Sequence, residues 1–466
     1  MKSNREVLVI TYFFLLLFLG LIVYYCYFIG NDSKDVVNNT YNRRSELLAE
    51  TVVRGKILGK NGEVLAETKK DEEGKEYRYY PYNDLFAHIV GRTQKGATGI
   101  EQSENITLLT SGNNAFSNAM IQMKGEKIQG DHVITTLDVD LQKAAYDALG
   151  DQRGAAVVME PSTGQILAMV SKPDYDPNLM EEYWDALNED TVGTPLLNRA
   201  TQGLYPPGST FKILTSLAYM RQQNGYKKYS YNCEGKGIYS SVSIECYDRK
   251  VHGTEDFIHS FANSCNTSYA NIGTKLDLGE YRKVCESFLF NHSLPTTIPS
   301  KQSSFVLEKN SKAEDVPQTA IGQGKTQITP LLNCMIAATI ANDGVMMCPY
   351  VVDRVETSGG RVHSQREPER YKRLMTKKEA NYLTKMMRAV VTEGTGSYLN
   401  GASYTVAGKT GSAEYDSTKA THSWFVGFAP ADKPEVAICV LVENTGNGNV
   451  YSLPVVKQIL DTYFRE

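Results

Sequence analysis

From Val7 to Ile29 the chain carries no charge and is almost wholly Leu, Ile, Val, Phe and Tyr. A helix needs about 20 such residues to cross a bilayer. Lys2 and Arg5 precede the run, which favours a cytoplasmic N-terminus. A cleaved signal peptide would have an apolar region of only about 7–15 residues and a small-residue cleavage site. Gly30-Asn31-Asp32 is a poor one. A buried core helix is the other bland reading, but polar, charged sequence follows at once. The run is read as an uncleaved signal anchor, residues 7–29, with a cytoplasmic tail over residues 1–6.

Beyond the anchor the pattern changes. Residues 38–50 are polar and mixed in charge, and read as a helical stalk. Two short β-prone runs flank Lys60-Asn61-Gly62, and Asn-Gly is the strongest short-range hairpin signal. Residues 69–76 form a charge cluster, expected as a solvated loop. Residues 80–130 mix short helical and turn signals without clear periodicity. A strand follows at 133–137 and a helix over 141–149, beginning after Asp138. A second unit opens near Gly154, with an apolar strand at 155–160, the turn Pro161-Ser162-Thr163-Gly164 and a return strand at 165–171. Strands at 405–407, 423–429 and 436–443 and a helix over 453–463 close the chain. Strands at both ends with helices between predict one sheet built from the two ends. The expectation is an α+β chain: the anchor, an extended pedestal over residues 30–150, and a catalytic domain over residues 151–466 with a central antiparallel sheet flanked by helices.

Composition narrows the class. The 466 residues are too many for one ordinary core. With 41% hydrophobic and 22% charged residues, the chain is globular rather than disordered. A net charge of -4 without basic runs argues against a nucleic-acid partner. Eight cysteines are too few for a disulfide scaffold of this length.

The sharpest local signal is Tyr205-Pro206-Pro207-Gly208-Ser209-Thr210-Phe211-Lys212. Pro-Pro-Gly breaks the chain, and residues 213–220 then read as a buried helix. Ser209 falls at the helix start and Lys212 one turn on, on the same face. A serine hydroxyl needs an adjacent base to act as nucleophile. A buried lysine beside a second cation can be neutral and serve as one. Free backbone N–H groups at a helix start could meet an oxyanion. The bland alternative is an N-cap serine, yet this Ser-x-x-Lys spacing occurs once, directly after the break. Ser264-Cys265-Asn266 could aim Ser264 and Asn266 into one cleft, the serine to relay a proton and the amide to hold a peptide bond. Ser111-Gly112-Asn113 matches the same pattern and reads as a loop. Ala407-Gly408-Lys409-Thr410-Gly411-Ser412 lies on a strand, where glycine suits a closely approaching substrate backbone. Lys409 could bind a carboxylate and depress the pKa of Lys212, Thr410 could share that carboxylate, and the Ser412 N–H could complete an oxyanion hole with that of Ser209. A phosphate loop is a poor alternative, because Gly-x-x-x-x-Gly-Lys-[Ser/Thr] is absent; no nucleotide is expected.

These three motifs, in this order, resemble the penicillin-binding proteins and serine β-lactamases. Arg54-Gly55 with Asn61-Gly62, Gly99-Ile100-Glu101, Thr136-Leu137-Asp138, Glu160-Pro161-Ser162-Thr163-Gly164, Ile321-Gly322-Gln323-Gly324, Thr329-Pro330-Leu331 and Gly427-Phe428-Ala429-Pro430 extend the likeness to the class B members. The resemblance implies a peptidoglycan DD-transpeptidase of the bacterial plasma membrane, single-pass, with its catalytic domain outside. Ser209 would attack the D-alanyl-D-alanine end of a stem peptide, and β-lactams would acylate it. Lys212, Ser264 and Lys409 would be catalytic; Asn266, Thr410, Gly411 and Ser412 would bind substrate. A polytopic glycosyltransferase would be its partner, since class B members lack that activity.

The rivals predict other features. A β-lactamase of one class would carry Glu-x-x-Leu-Asn after Ser264, which is absent, and a β-lactam sensor would carry extra membrane helices. A non-catalytic scaffold would have lost motif side chains that all remain here. A DD-carboxypeptidase differs only in the acceptor and stays open. No cofactor is required, but Cys233, Cys246, His252 and Cys265 form a donor set suited to a structural zinc. Its rivals are a Cys233–Cys246 disulfide and free thiols. Cys285, Cys334, Cys348 and Cys439 read as core residues, and Trp424 as strand packing. Glu393-Gly394-Thr395-Gly396 is expected to shape the cleft.

Overall fold

The computed structural model describes residues 5–31, 44–414, 421–445 and 448–465. Residues 1–4 of the tail, and the stalk reading before residue 44, lie outside the described residues. The anchor run is one helix, Arg5–Asn31 (α1), long and apolar enough to cross a membrane. Its side chains are exposed along its length rather than packed on the body. That disposes of the buried-core reading of this segment.

The pedestal is organised by one buried carboxylate. Glu101, fully buried, accepts from Arg54 at 2.7 Å and from Arg78 at 2.6 Å. Two guanidinium groups on one carboxylate satisfy a charge that burial alone would neutralise. Burial opposes ionisation of Glu101, and Arg78 and Arg54 overcome it, so its pKa is lowered. The Asn-Gly hairpin forms as expected, Ile57–Leu58 pairing antiparallel with Val64–Lys70. The charge cluster at 69–76 is not a loop throughout: Lys69 and Lys70 pair with Tyr77 and Glu76 as the arms of a second hairpin. Both lysines are exposed at the end of their strand, where charge stays solvated. The pedestal sheet has six strands, and two of them come from far along the chain: Val352–Glu356 pairs antiparallel with His132–Thr135, and Val362–Gln365 follows it.

The catalytic domain is a five-stranded antiparallel sheet. Its strands are Gly154–Met159 (β1), Ile166–Lys172 (β2), Ala407–Glu414 (β3), Thr421–Ala429 (β4) and Val436–Val442 (β5), in the spatial order β3-β4-β5-β1-β2. The two chain ends thus share one sheet. Both faces are covered, which is why β1 and β5 are continuously apolar. Ala156, Val158, Ile438 and Val440 face one layer, with Leu141 and Leu149 of Val139–Leu149 (α2) and Val456 and Leu460 of the C-terminal helix. Val157, Met159, Cys439 and Leu441 face the other, with Leu332 and Ile336 of the helix Pro330–Ala341, buried up to Ile340. Asp138 caps α2, accepting from the N–H of Asp140 and Leu141. The last strands differ from their expected bounds: of the expected strand at 405–407 only Ala407 is in β3, which carries the Lys409 motif through to Glu414.

Candidate active site

Ser209 sits in a single 3-10 turn, Gly208–Phe211, and the α-helix proper (α3, Lys212–Gln222) begins at the lysine. The turn is fixed from several sides. Gly208 has φ +54 and donates to Gly322 O at 2.9 Å. A Cβ on Gly208 would stand 2.6 Å from Ser412 O, so the turn lies directly against β3. Gly322, at φ +79, would press a Cβ to 1.9 Å from Gly208 O. Trp424 of β4, fully buried, donates from Nε1 to Pro206 O at 3.2 Å, so its strand-packing role includes holding the Pro-Pro-Gly break. Thr210 donates to Pro207 O at 2.8 Å and accepts from Asn333 at 3.1 Å.

Ser264 occupies the turn between Phe257–Ala262 and Asn266–Gly273 with φ +57. Only a few per cent of non-glycine residues adopt this conformation, and they concentrate at functional sites. Asn263, donating to buried Glu255 at 2.7 Å, helps to hold the turn. The turn delivers the expected alternation: Ser264 and Asn266 line the cleft, while Cys265 is buried behind it.

Two lysines meet beneath that turn. Lys212 Nζ donates to Ser264 O at 2.7 Å, Ser264 Oγ at 3.2 Å and Asn266 Oδ1 at 2.8 Å. Lys409 Nζ donates to the same Ser264 Oγ at 2.9 Å and to Thr410 O at 3.0 Å. Both side chains are fully buried. Burial pushes Lys212 down to about 8. Lys409 is pushed well below the usual lysine range by burial and then by the ammonium of Lys212. Burial is the first cause at both lysines, and the repulsion between the two ammonium groups disfavours charging both at once. Asn266 also donates to Glu245 O at 3.0 Å, so its amide orients the lysine from a fixed position.

A cleft of about 770 Å³ opens above this pair, lined by Ser209, Ser264, Asn266, Thr410, Gly411 and Ser412. Close approach explains the glycines of β3: a Cβ on Gly411 would meet Thr210 Cγ2 at 3.1 Å, and one on Gly408 would meet the Phe425 ring at 2.2 Å. Thr395 also lines the cleft and shares a 2.5 Å hydrogen bond with Thr410. Sequence reading placed the Glu393–Gly396 segment beside the cleft without singling out Thr395. His422 is buried under Tyr205 with ring centroids 5.4 Å apart. Ser111-Gly112-Asn113 lies in the pedestal, Asn113 donating to Ser358 Oγ, as a loop away from the cleft.

Among known protein families, the penicillin binding protein transpeptidase domain matches residues 154–461, and the penicillin binding protein A dimerisation domain matches residues 54–133. The chain belongs to the class B penicillin-binding proteins. It is 32% identical to the peptidoglycan D,D-transpeptidase PbpA of Mycolicibacterium smegmatis over 89% of each chain. It is 29% identical to MrdA, a peptidoglycan D,D-transpeptidase of Acinetobacter baumannii, over 80% of this chain and 64% of that one. Among solved structures, the imipenem acyl-enzyme of penicillin-binding protein A from M. tuberculosis superposes with a TM-score of 0.82 at 29% identity, covering 89% of this chain and 99% of that one. The transpeptidase domain from Eggerthella lenta gives 0.79 at 29% identity, covering 89% of this chain and all of that one.

The cysteines sit just behind Ser264. Ligand atoms of Cys233, Cys246, His252 and Cys265 all lie within 4.8 Å of one another. The sulfurs of Cys233 and Cys246 lie 3.7 Å apart with no bond between them. Cys285, Cys334, Cys348 and Cys439 are buried free thiols in the core, as expected.

Proposed function

We propose that this chain is a peptidoglycan DD-transpeptidase acting through a Ser209 acyl-enzyme, and that β-lactams acylate the same serine. The observation that carries the reading is Ser264 Oγ held between Lys212 Nζ at 3.2 Å and Lys409 Nζ at 2.9 Å, beside the turn that bears Ser209. Neutral Lys212 takes the Ser209 proton as Oγ attacks the penultimate D-alanyl carbonyl. The N–H groups of Ser209 and Ser412 receive the oxyanion. Ser264 relays the proton to the departing D-alanine amine as the peptide bond breaks. Lys409, Thr410 and the β3 backbone hold the terminal carboxylate, and Asn266 keeps Lys212 aligned. An amine of a second stem peptide then attacks the ester and frees Ser209. The test is fluorescent penicillin labelling followed by cross-linking of lipid-linked polymer: Ser209→Ala should lose both. Labelling that survives Ser209→Ala overturns the assignment.

The N-terminus is cytoplasmic and the cleft faces outward, where cross-linking occurs. Because cross-linking needs glycan strands, a polytopic membrane glycosyltransferase is the partner. Single-cysteine labelling of intact cells from either side tests the orientation.

The four cysteine and histidine donors hold a structural zinc. Sulfur pairs 3.7 and 3.8 Å apart match the edge of a tetrahedron with about 2.3 Å Zn–S bonds, roughly 3.8 Å. Thiolates and imidazole are the donors zinc prefers. When bound, it would tie residues 233–252 to the Ser264 turn through Cys265.

A further inference from the structure

A second cavity, of about 100 Å³, lies where the pedestal meets the catalytic domain and shares no lining residue with the Ser209 cleft. His88, Arg92, Thr98 and Gln102 line it from the pedestal, and Asn198 and Thr201 from the other side. Its charge is unbalanced. Arg92 is 6% exposed, yet no carboxylate among the described residues pairs with it. Its guanidinium reaches only neutral acceptors, at long range: Thr98 Oγ1 at 3.3 Å, Tyr175 Oη at 3.2 Å and Lys95 O at 3.4 Å. Its Nε has no partner among the described residues. The rings of Trp184 and Tyr175, centred 5.4 and 5.5 Å from its Cζ, hold it in place. Thr201, 1% exposed, has a hydroxyl that is likewise unpartnered.

A buried cation without a counter-charge is strongly disfavoured, and a planar guanidinium fork fits a carboxylate or a phosphate. The lining decides between these. Among the lining residues Arg92 is the only fixed cation: His88 is pushed down to about 4, by burial first and by Arg199 and Arg92, and is neutral. One positive charge balances a monoanion, not a phosphate dianion. No acidic residue lines the cavity, so an ammonium would have no partner there and amino acids are disfavoured. Ile100, Leu196 and Ile298 give it an apolar side for a short carbon chain.

We propose that this cavity binds a small organic monocarboxylate, its carboxylate on Arg92 and the Thr201 hydroxyl and its apolar part against Ile100, Leu196 and Ile298. Such a ligand would join the pedestal to the segment that leads into the Ser209 turn. It would therefore add to the stability of the assembled chain by mass action.

The test uses the full-length protein in detergent, with thermal unfolding followed while butyrate is titrated against sodium chloride of equal ionic strength. Butyrate raises Tm saturably; orthophosphate and the zwitterion γ-aminobutyrate do so far less. Arg92→Met weakens the apparent affinity at least about tenfold, as expected for losing charge-assisted hydrogen bonds. Thr201→Val weakens it about two- to tenfold. Because the Thr201 hydroxyl bonds to nothing else in the described chain, that variant keeps its ligand-free Tm and decides the matter even if Arg92→Met fails to fold. No butyrate-dependent shift in the wild type overturns the proposal. So does an equal shift in Thr201→Val, or an equal response to orthophosphate or γ-aminobutyrate.

Discussion

Ser264 and Lys409 are separated by 145 positions along the chain, yet the Lys409 ammonium donates to the Ser264 hydroxyl at 2.9 Å. Lys212 reaches the same oxygen at 3.2 Å. One hydroxyl therefore links the bases of two motifs. Replacing Ser264 with Ala removes the acceptor common to both lysines and the proposed proton relay. Acylation of Ser209 by penicillin should fall by about 10²–10⁴, the range of a lost general acid–base group. Stopped-flow acylation measures this, and a rate within twofold of wild type would remove Ser264 from the mechanism.

The pH dependence follows from Lys212. It acts as a base only when neutral, and burial places its pKa at about 8. The neutral form is present above that value and is lost as pH falls. The acylation rate should rise with pH, by about tenfold per unit below about 8, and level off above it. Acylation rates with penicillin across pH 6–10 would test the sign; a rate that falls through this window contradicts the assignment.

Gly322 and Gly324 separate backbone conformation from contact. Both have positive φ, +79 and +83. A Cβ on Gly322 would lie 1.9 Å from Gly208 O, whereas on Gly324 its nearest neighbour is 3.9 Å away. Gly324→Ala should cost about 1–2 kcal/mol from the left-handed backbone alone. Gly322→Ala should cost more than that and also slow acylation, since it displaces the turn that carries Ser209. Chemical denaturation and penicillin labelling of the two variants make the comparison. Equal effects would show that the Gly208 contact is unimportant.

Glu443 holds a buried network outside the three motifs. It accepts from Arg199 at 2.8 Å and Tyr205 at 2.7 Å and pairs with Arg153 at 3.0 Å. Burial opposes its ionisation, and Arg199, Tyr205 and Arg153 together outweigh it, so its pKa is lowered. A lowered carboxyl pKa contributes stability above the unfolded value of about 4.3 and loses it as pH falls. Glu443→Gln leaves Arg199 buried without a counter-charge, and should cost about 3 kcal/mol near neutral pH. Below about pH 4 the gap to wild type should narrow. Tm measured against pH for both proteins checks it.

The zinc reading has a direct measurement. Elemental analysis of the purified protein should give about one zinc per chain, and Cys246→Ser should lose most of it. Chelation should lower Tm, because binding free energy is then part of folding. Protein free of zinc with unchanged Tm would leave a thiol cluster and no metal site.

The sequence alone determined the parts whose signals are local. An uncharged run of membrane-spanning length defines α1 whatever surrounds it. Asn61-Gly62 sets a hairpin through backbone geometry, and Asp138 starts a helix by capping it. Short, continuously apolar runs bounded by turn residues assigned β1 and β5 to a buried sheet. Ser209 and Lys212 were legible beside a chain break and Lys409 beside close-approach glycines, whereas Ser264 was legible only through the order of the three motifs that resembles the family. Other features depend on contacts between distant segments, which no local pattern records. Only the tertiary structure showed that strands at 352–356 and 362–365 complete the pedestal sheet. It placed Thr395 against Thr410, and set Gly322 behind Gly208. It brought Arg199 to Glu443, and left Arg92 buried without a carboxylate among the described residues. The charge state of Lys212 belongs to this second group too: the motif supplies the lysine, but burial in the assembled core makes it a base near neutral pH.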